Sequence, residues 1–283
     1  MISERQTTLF EKSYTSETTA QSMAFVLIDP FSGERMHSRD VPPSIDRIPH
    51  LHDGLAYLRA RAEHMKLTLF ASRHANDVVH EADELNPLLD NHDAYFLEGY
   101  GTTAKRREIY RRASSEQLTN DDWNNYRSAP GPYTDRQLEA IKGRGKPIFM
   151  PEIPQDGTDD EAAFLEYSLI MNEFWPLAFG DDPQMTINLL LAIAGSNVIR
   201  EWYMLANMGS QMAAYEKEKG QEISSPLIWM GGGHAESLAA KARTLGLTFK
   251  TIESRYNQEH GLSDDSFAQT ASDVAINGLL RLR

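Results

Sequence analysis

Pro226-Leu227-Ile228-Trp229-Met230 runs directly into Gly231-Gly232-Gly233-His234. An apolar run of this length with no polar alternation, ended abruptly by glycine, is how a strand reads when both faces of its sheet are covered. Three other runs share the form. Leu67-Thr68-Leu69-Phe70-Ala71 ends at Ser72-Arg73-His74, Ala94-Tyr95-Phe96-Leu97 ends at Glu98-Gly99-Tyr100-Gly101, and Pro147-Ile148-Phe149-Met150 ends at Pro151-Glu152. Helical patterns lie between them, and strand–helix–strand connections cross over right-handed and bring strands out parallel. The pattern predicts an α/β fold: a mostly parallel central sheet flanked by helices, with helical insertions. All four polar run-ends then share the carboxyl edge of the sheet, where open α/β folds build their sites.

Around these strands the periodicity places helices. Leu51, Leu55 and Leu58 make one stripe of a helix over about 50–64. Val78, Val79, Ala82 and Leu85 mark another, beginning at Asn76 and interrupted or ended by Pro87. Thr158 to Trp175 is a third. A fourth has Asp182 as cap and Pro183 at its first position, and continues past Tyr203 with a possible kink at Gly195-Ser196-Asn197. Glu236 to Leu245 reads as a helix stopped by Gly246, Leu247 to Ile252 as a strand, and Asp264 to Leu280 as a last helix capped by Ser263. Ala24 to Ile28 suits a further buried strand. Residues 1–22 are polar and unpatterned, a leader before a single domain over 23–283; the polar, basic 102–146 stretch reads as an insertion.

Composition narrows the function classes. With 283 residues the chain is long enough for a sizeable core, and 41% hydrophobic content argues against intrinsic disorder. Lys and Arg number 28 against 41 Asp and Glu, a formal charge of −13, which disfavours general nucleic-acid binding. The absence of cysteine excludes disulfides, thiolate metal sites and a thiol nucleophile. The longest apolar run, Leu189 to Gly195, is far short of the about 20 residues of a membrane helix, and the start lacks the pattern of a secretory signal. A cytoplasmic protein with no membrane partner is the expectation. There is no GxxxxGK phosphate loop, strand-linked GxGxxG, GxSxG elbow or HExxH helix.

Two histidines stand apart. His74 and His234 each follow a strand after a small-residue turn, so the chain carries two similar βαβ halves, each with an imidazole at the start of its helix. Histidine there suits a general base or a metal ligand, although either one alone would read as a surface-loop residue. The other seven, at 37, 50, 52, 64, 80, 92 and 260, read as solvated. Glu98 ends an apolar strand, and Glu152 follows Met150-Pro151; a carboxylate at a core rim is costly unless it reaches water, a partner or a metal. Arg200 shares a helical stripe with Leu189, Ile193 and Met204. It needs an anion: Glu98, Glu152, a substrate carboxylate or a developing oxyanion, unless the kink turns it to solvent. Lys105, Arg106, Arg107, Arg111 and Arg112 form a basic cluster that reads as a solvated helix face or a local attraction for an anionic ligand.

The order of these residues resembles the TraB/PrgY superfamily, which includes the TIKI proteases, the erythromycin esterases and the haem-binding ChaN-like proteins. That superfamily is marked by two GxxH turns, a glutamate ending the strand after the first, and an arginine on a helix before the second; here His74, Glu98, Arg200 and His234 fill those positions. Arg200 to Ala206 is similar to the family's R-D-x-Y-M stretch, whereas the first turn begins with Ala71 in place of glycine. The resemblance spans about residues 66–255. It implies a hydrolase cleaving a peptide, amide or ester bond, with His74, Glu98, Arg200 and His234 as catalytic residues. Arg73, Glu152, Tyr203, Gly231, Gly232 and Gly233 become the candidate substrate contacts. His74, Glu98 and His234 are a ligand set compatible with zinc, manganese or cobalt. The alternative is a non-catalytic protein that uses the same cleft for a peptide or a haem, with Tyr100, Tyr203, His74 or Met204 in contact.

Overall fold

Each of the four apolar runs forms a strand. A computed structural model describes residues 26–29, 32–37, 40–72, 81–97, 140–141, 144–152 and 183–254. In chain order these form strands β1 (Val26–Ile28) and β2 (Arg35–His37), helix α1 (Pro49–Ala60), β3 (Lys66–Ser72), α2 (Glu81–Asn91), β4 (Ala94–Leu97), β5 (Ile148–Phe149), α3 (Pro183–Lys219), β6 (Pro226–Gly231), α4 (Ala235–Thr244) and β7 (Thr248–Glu253). The main sheet runs β5-β4-β6-β3-β7 and every pairing in it is parallel. The expected α/β architecture is thus what the chain adopts.

Burial explains why the central runs do not alternate. β4 and β6 are buried at every position and β3 at all but Lys66, because helices cover both faces. Leu67, Leu69, Ala71, Phe96, Ile228 and Met230 pack with α1, α3 and α4 on one face. On the other, Phe70, Tyr95, Leu97, Leu227 and Trp229 pack with Leu85, Leu88 and Leu89 of α2. β7, at an edge, is only partly covered.

The strand order is less simple than consecutive crossovers suggest. β3 leads through α2 to β4, but β6 lies between β3 and β4; β6 leads through α4 to β7, but β3 lies between β6 and β7. Each βαβ unit therefore skips over the first strand of the other, and the two units interlock. At the amino edge Asp93 fastens the entry to β6 by accepting hydrogen bonds from the backbone N–H groups of Ser224 and Ser225. Val26–Ile28 pairs antiparallel with Arg35–His37 in a separate two-stranded sheet.

One helix differs from expectation. α2 runs through Pro87 to Asn91. Proline forfeits one backbone hydrogen bond, about 3 kcal/mol in a helix interior, and burial of Leu85, Leu88 and Leu89 offsets it. α3 begins at Pro183 and runs past Tyr203 as the pattern predicts, 37 residues in all. From Val198 to Met208 every side chain position is buried, so this helix is held from all sides. α4 stops where glycine predicts: Gly246 has φ 81°, Leu247 N–H donates to Ala242 O and Gly246 N–H to Arg243 O. The expected leader, the Thr158–Trp175 and Asp264–Leu280 helices, the cap at Asp182 and nearly all of the 102–146 stretch lie outside the described residues. No helix among the described residues is long and apolar enough to cross a membrane.

α1 and α3 touch backbone to backbone at Gly54 and Gly209. A Cβ on Gly54 would overlap the Ala206 carbonyl oxygen and lie 2.7 Å from Ser210 N, while one on Gly209 would meet Gly54 itself. Neither obstruction is a flexible side-chain end. Gly54→Ala should therefore cost about 3 kcal/mol in urea denaturation, and Gly209→Ala a similar amount. The double variant should cost less than the sum, because one separation of the helices relieves both clashes. Near-neutral single variants would mean the crossing is looser than this.

Candidate active site

β3 and β6 are neighbours, with Ser72 opposite Gly231 at their carboxyl ends. From these ends the chain continues to α2 on one face of the sheet and to α4 on the other. Adjacent parallel strands whose connections leave to opposite faces make the switch point at which open α/β sheets form a crevice. The strands that the sequence's candidates follow are ordered along this edge. Glu152 comes after β5, Glu98 is the next residue after β4, His234 ends the turn after β6, and Arg73 and His74 are the next residues after β3. His74, Arg73 and Glu98 lie outside the described residues.

His234 is buried, at 8% exposure, on a single 3-10 turn, Gly232–His234, between β6 and α4. Its Nδ1 lies 3.0 Å from Glu201 Oε1. Glu201, on α3, also accepts hydrogen bonds from Lys241 Nζ at 2.5 Å and from Ser237 Oγ, and Lys241 Nζ lies 2.6 Å from Ser237 Oγ. His234, at the cap of α4, and Ser237 and Lys241 within it stand at i, i+3 and i+7, one stripe laid against α3. Burial by itself would raise the Glu201 carboxyl; the Lys241 charge and the hydrogen bonds from His234 and Lys241 reverse that and hold it at about 2. The carboxylate and ammonium compensate each other in a site with almost no solvent contact.

Arg200, the neighbour of Glu201, points to a different partner. Its Nε donates to Glu152 Oε1, and both side chains are buried. Of the anions the sequence left open, Glu152 is paired with it among the described residues. Two further α3 side chains hold the same segment: Asn207 Nδ2 donates to Pro151 O at 2.8 Å and Gln211 Nε2 to Met150 O at 2.8 Å. Arg200, Asn207 and Gln211 thus clamp the exit of β5. Tyr203, a candidate substrate contact, has no exposed surface and packs in the hydrophobic core, as does Met204. Gly231 ends β6 as its last residue, and Gly232 and Gly233 begin the turn that carries His234.

Sequence reasoning missed Glu201, Ser237 and Lys241. Two signals could have found them: a second charge beside Arg200 in an otherwise apolar run, and a lysine on the His234 stripe of α4. His92 also departs from expectation. It is buried, its Nδ1 lies 2.6 Å from Leu88 O, and burial lowers its pKa.

An ionised carboxylate can only accept, so the Nδ1 of His234 that faces Glu201 is the nitrogen that donates, and Nε2 is the one left for other chemistry. That is the arrangement of a general base, and equally of a metal-ligating histidine whose second nitrogen is held by a carboxylate. Among the described residues no three His, Asp or Glu side chains come together as a metal site. Compared with family models, with curated proteins and with solved structures, the chain matches none.

Proposed function

We propose that the chain is a hydrolase that cleaves a peptide, amide or ester bond at the β3/β6 crevice, in the manner of the TraB/PrgY superfamily that its sequence resembles. One observation carries this reading: the turn leaving β6 at the switch point holds an imidazole whose Nδ1 is committed to a buried carboxylate. His234 Nε2 then takes a proton from the attacking water as its oxygen bonds to the carbonyl carbon, and returns it to the amine or alcohol that leaves as the C–N or C–O bond breaks. His74, two residues beyond Ser72 on the neighbouring strand, is proposed as the second imidazole, and Glu98, next after β4, as the carboxylate that orients water.

The donor chemistry also fits a divalent ion, with His234 as a ligand through Nε2 and His74 and Glu98 as its companions. Such an ion supplies a water of lowered pKa and polarises the carbonyl. Arg200 is assigned a positioning role, because its guanidinium is paired with Glu152 and holds the β5 exit in place.

The test is a library of peptides, amides and esters, offered to chelator-stripped protein with and without Mn²⁺, Co²⁺ or Zn²⁺. His234→Ala should lower turnover by about 10²–10⁴-fold, the usual worth of a positioned acid or base. His74→Ala/His234→Ala should abolish it. A double variant that processes every library member as the wild type does overturns the proposal.

A further inference from the structure

Lys241 and Ser237 have no place in the hydrolytic reading above, yet they complete a closed network around Glu201. Two oxygens meet three donors: Oε1 faces His234 Nδ1, while Oε2 takes Lys241 Nζ and Ser237 Oγ. Lys241 also reaches Ser237 Oγ, which leaves that hydroxyl's proton to point at Glu201. We infer that Glu201, locked by Lys241 and Ser237, is the positioning residue that fixes His234 in its Nδ1–H tautomer and in one ring orientation.

The physical reason lies in the division of the two oxygens. If Lys241 and Ser237 did not occupy Oε2, the carboxylate could rotate about its terminal bond and present either oxygen, or neither, to the ring. With that side taken, Oε1 is held toward Nδ1. The inference deepens the proposed role of His234 and rests on it for its catalytic meaning. The tautomer itself can be read without turnover.

Heteronuclear NMR of the imidazole nitrogens in the full chain tests it. In the wild type, near neutral pH, His234 should show a protonated Nδ1 and an unprotonated Nε2. Glu201→Gln, whose amide can donate as well as accept, should shift the ring toward the Nε2–H form or a mixture. Once a substrate is known, the same variant should lose about 10–100-fold in kcat with KM little changed. The wild-type spectrum keeps the inference falsifiable even if the variant does not fold: an Nε2–H ring there overturns it. An Nδ1–H ring in a chain that hydrolyses nothing supports the positioning role and counts against the hydrolase reading, so the two failures are distinguishable.

Discussion

Lys241→Met should destabilise the fold by about 3–5 kcal/mol near neutral pH, the cost of stranding one member of a buried ion pair. Lys241 is 3% exposed and its ammonium lies 2.5 Å from Glu201 Oε2. Without it, Glu201 keeps only His234 and Ser237, and its carboxyl must rise from the about 2 at which the network holds it. The pH dependence follows. A carboxyl depressed below its ordinary 4.5 contributes stability that is fully present above that value and is lost as pH falls toward 2. The variant lacks this contribution, so the gap between wild type and Lys241→Met should close on acidification through that window. Urea denaturation near pH 7, 5 and 3 measures both effects. Replacing both partners, Glu201→Met/Lys241→Met, should recover most of the loss, because no charge is then left buried. A single variant as stable as the wild type would mean that Lys241 is solvated and the network is not formed.

Arg200→Met carries the second large effect, again about 3–5 kcal/mol, through the buried carboxylate it leaves behind at Glu152. Here the damage should be local as well as global. β5 has only two residues, and its exit is held to α3 by Arg200, Asn207 and Gln211. Amide exchange at residues 148–152 should therefore accelerate more than at β3 or β6. A double-mutant cycle with Glu152→Gln should return a coupling on the order of 2 kcal/mol. Additive single effects, with unchanged exchange at β5, would show that the clamp does not depend on the ion pair.

The fold was legible because covered strands and helices leave different marks. Leu67–Ala71, Ala94–Leu97 and Pro226–Met230 are apolar without alternation since each is buried on both faces, and Gly246 marks a helix end since its φ of 81° suits glycine. Pro87 misled because propensity is local and worth a few kcal/mol at most, and packing around α2 exceeds it. At the site, His234 and Arg200 could be picked out by type and position. Glu152 stood among several candidate partners of Arg200 without being singled out, and Glu201 was not assigned to His234, because Glu201 and the α4 residues it meets are distant in the chain and come together only when α4 lies against α3.

By itself, then, the order of residues determined the parallel α/β class, the order of strands and helices along the chain, and the glycine turn that carries His234. Only the tertiary structure decided that β6 enters between β3 and β4, that Arg200 is answered by Glu152, and that Glu201 holds His234. Strand and helix patterns are written in neighbouring residues, through periodicity and backbone preference. Which strands lie side by side, and which charge neutralises which, depends on contacts between distant segments, whose energies no local window of sequence contains.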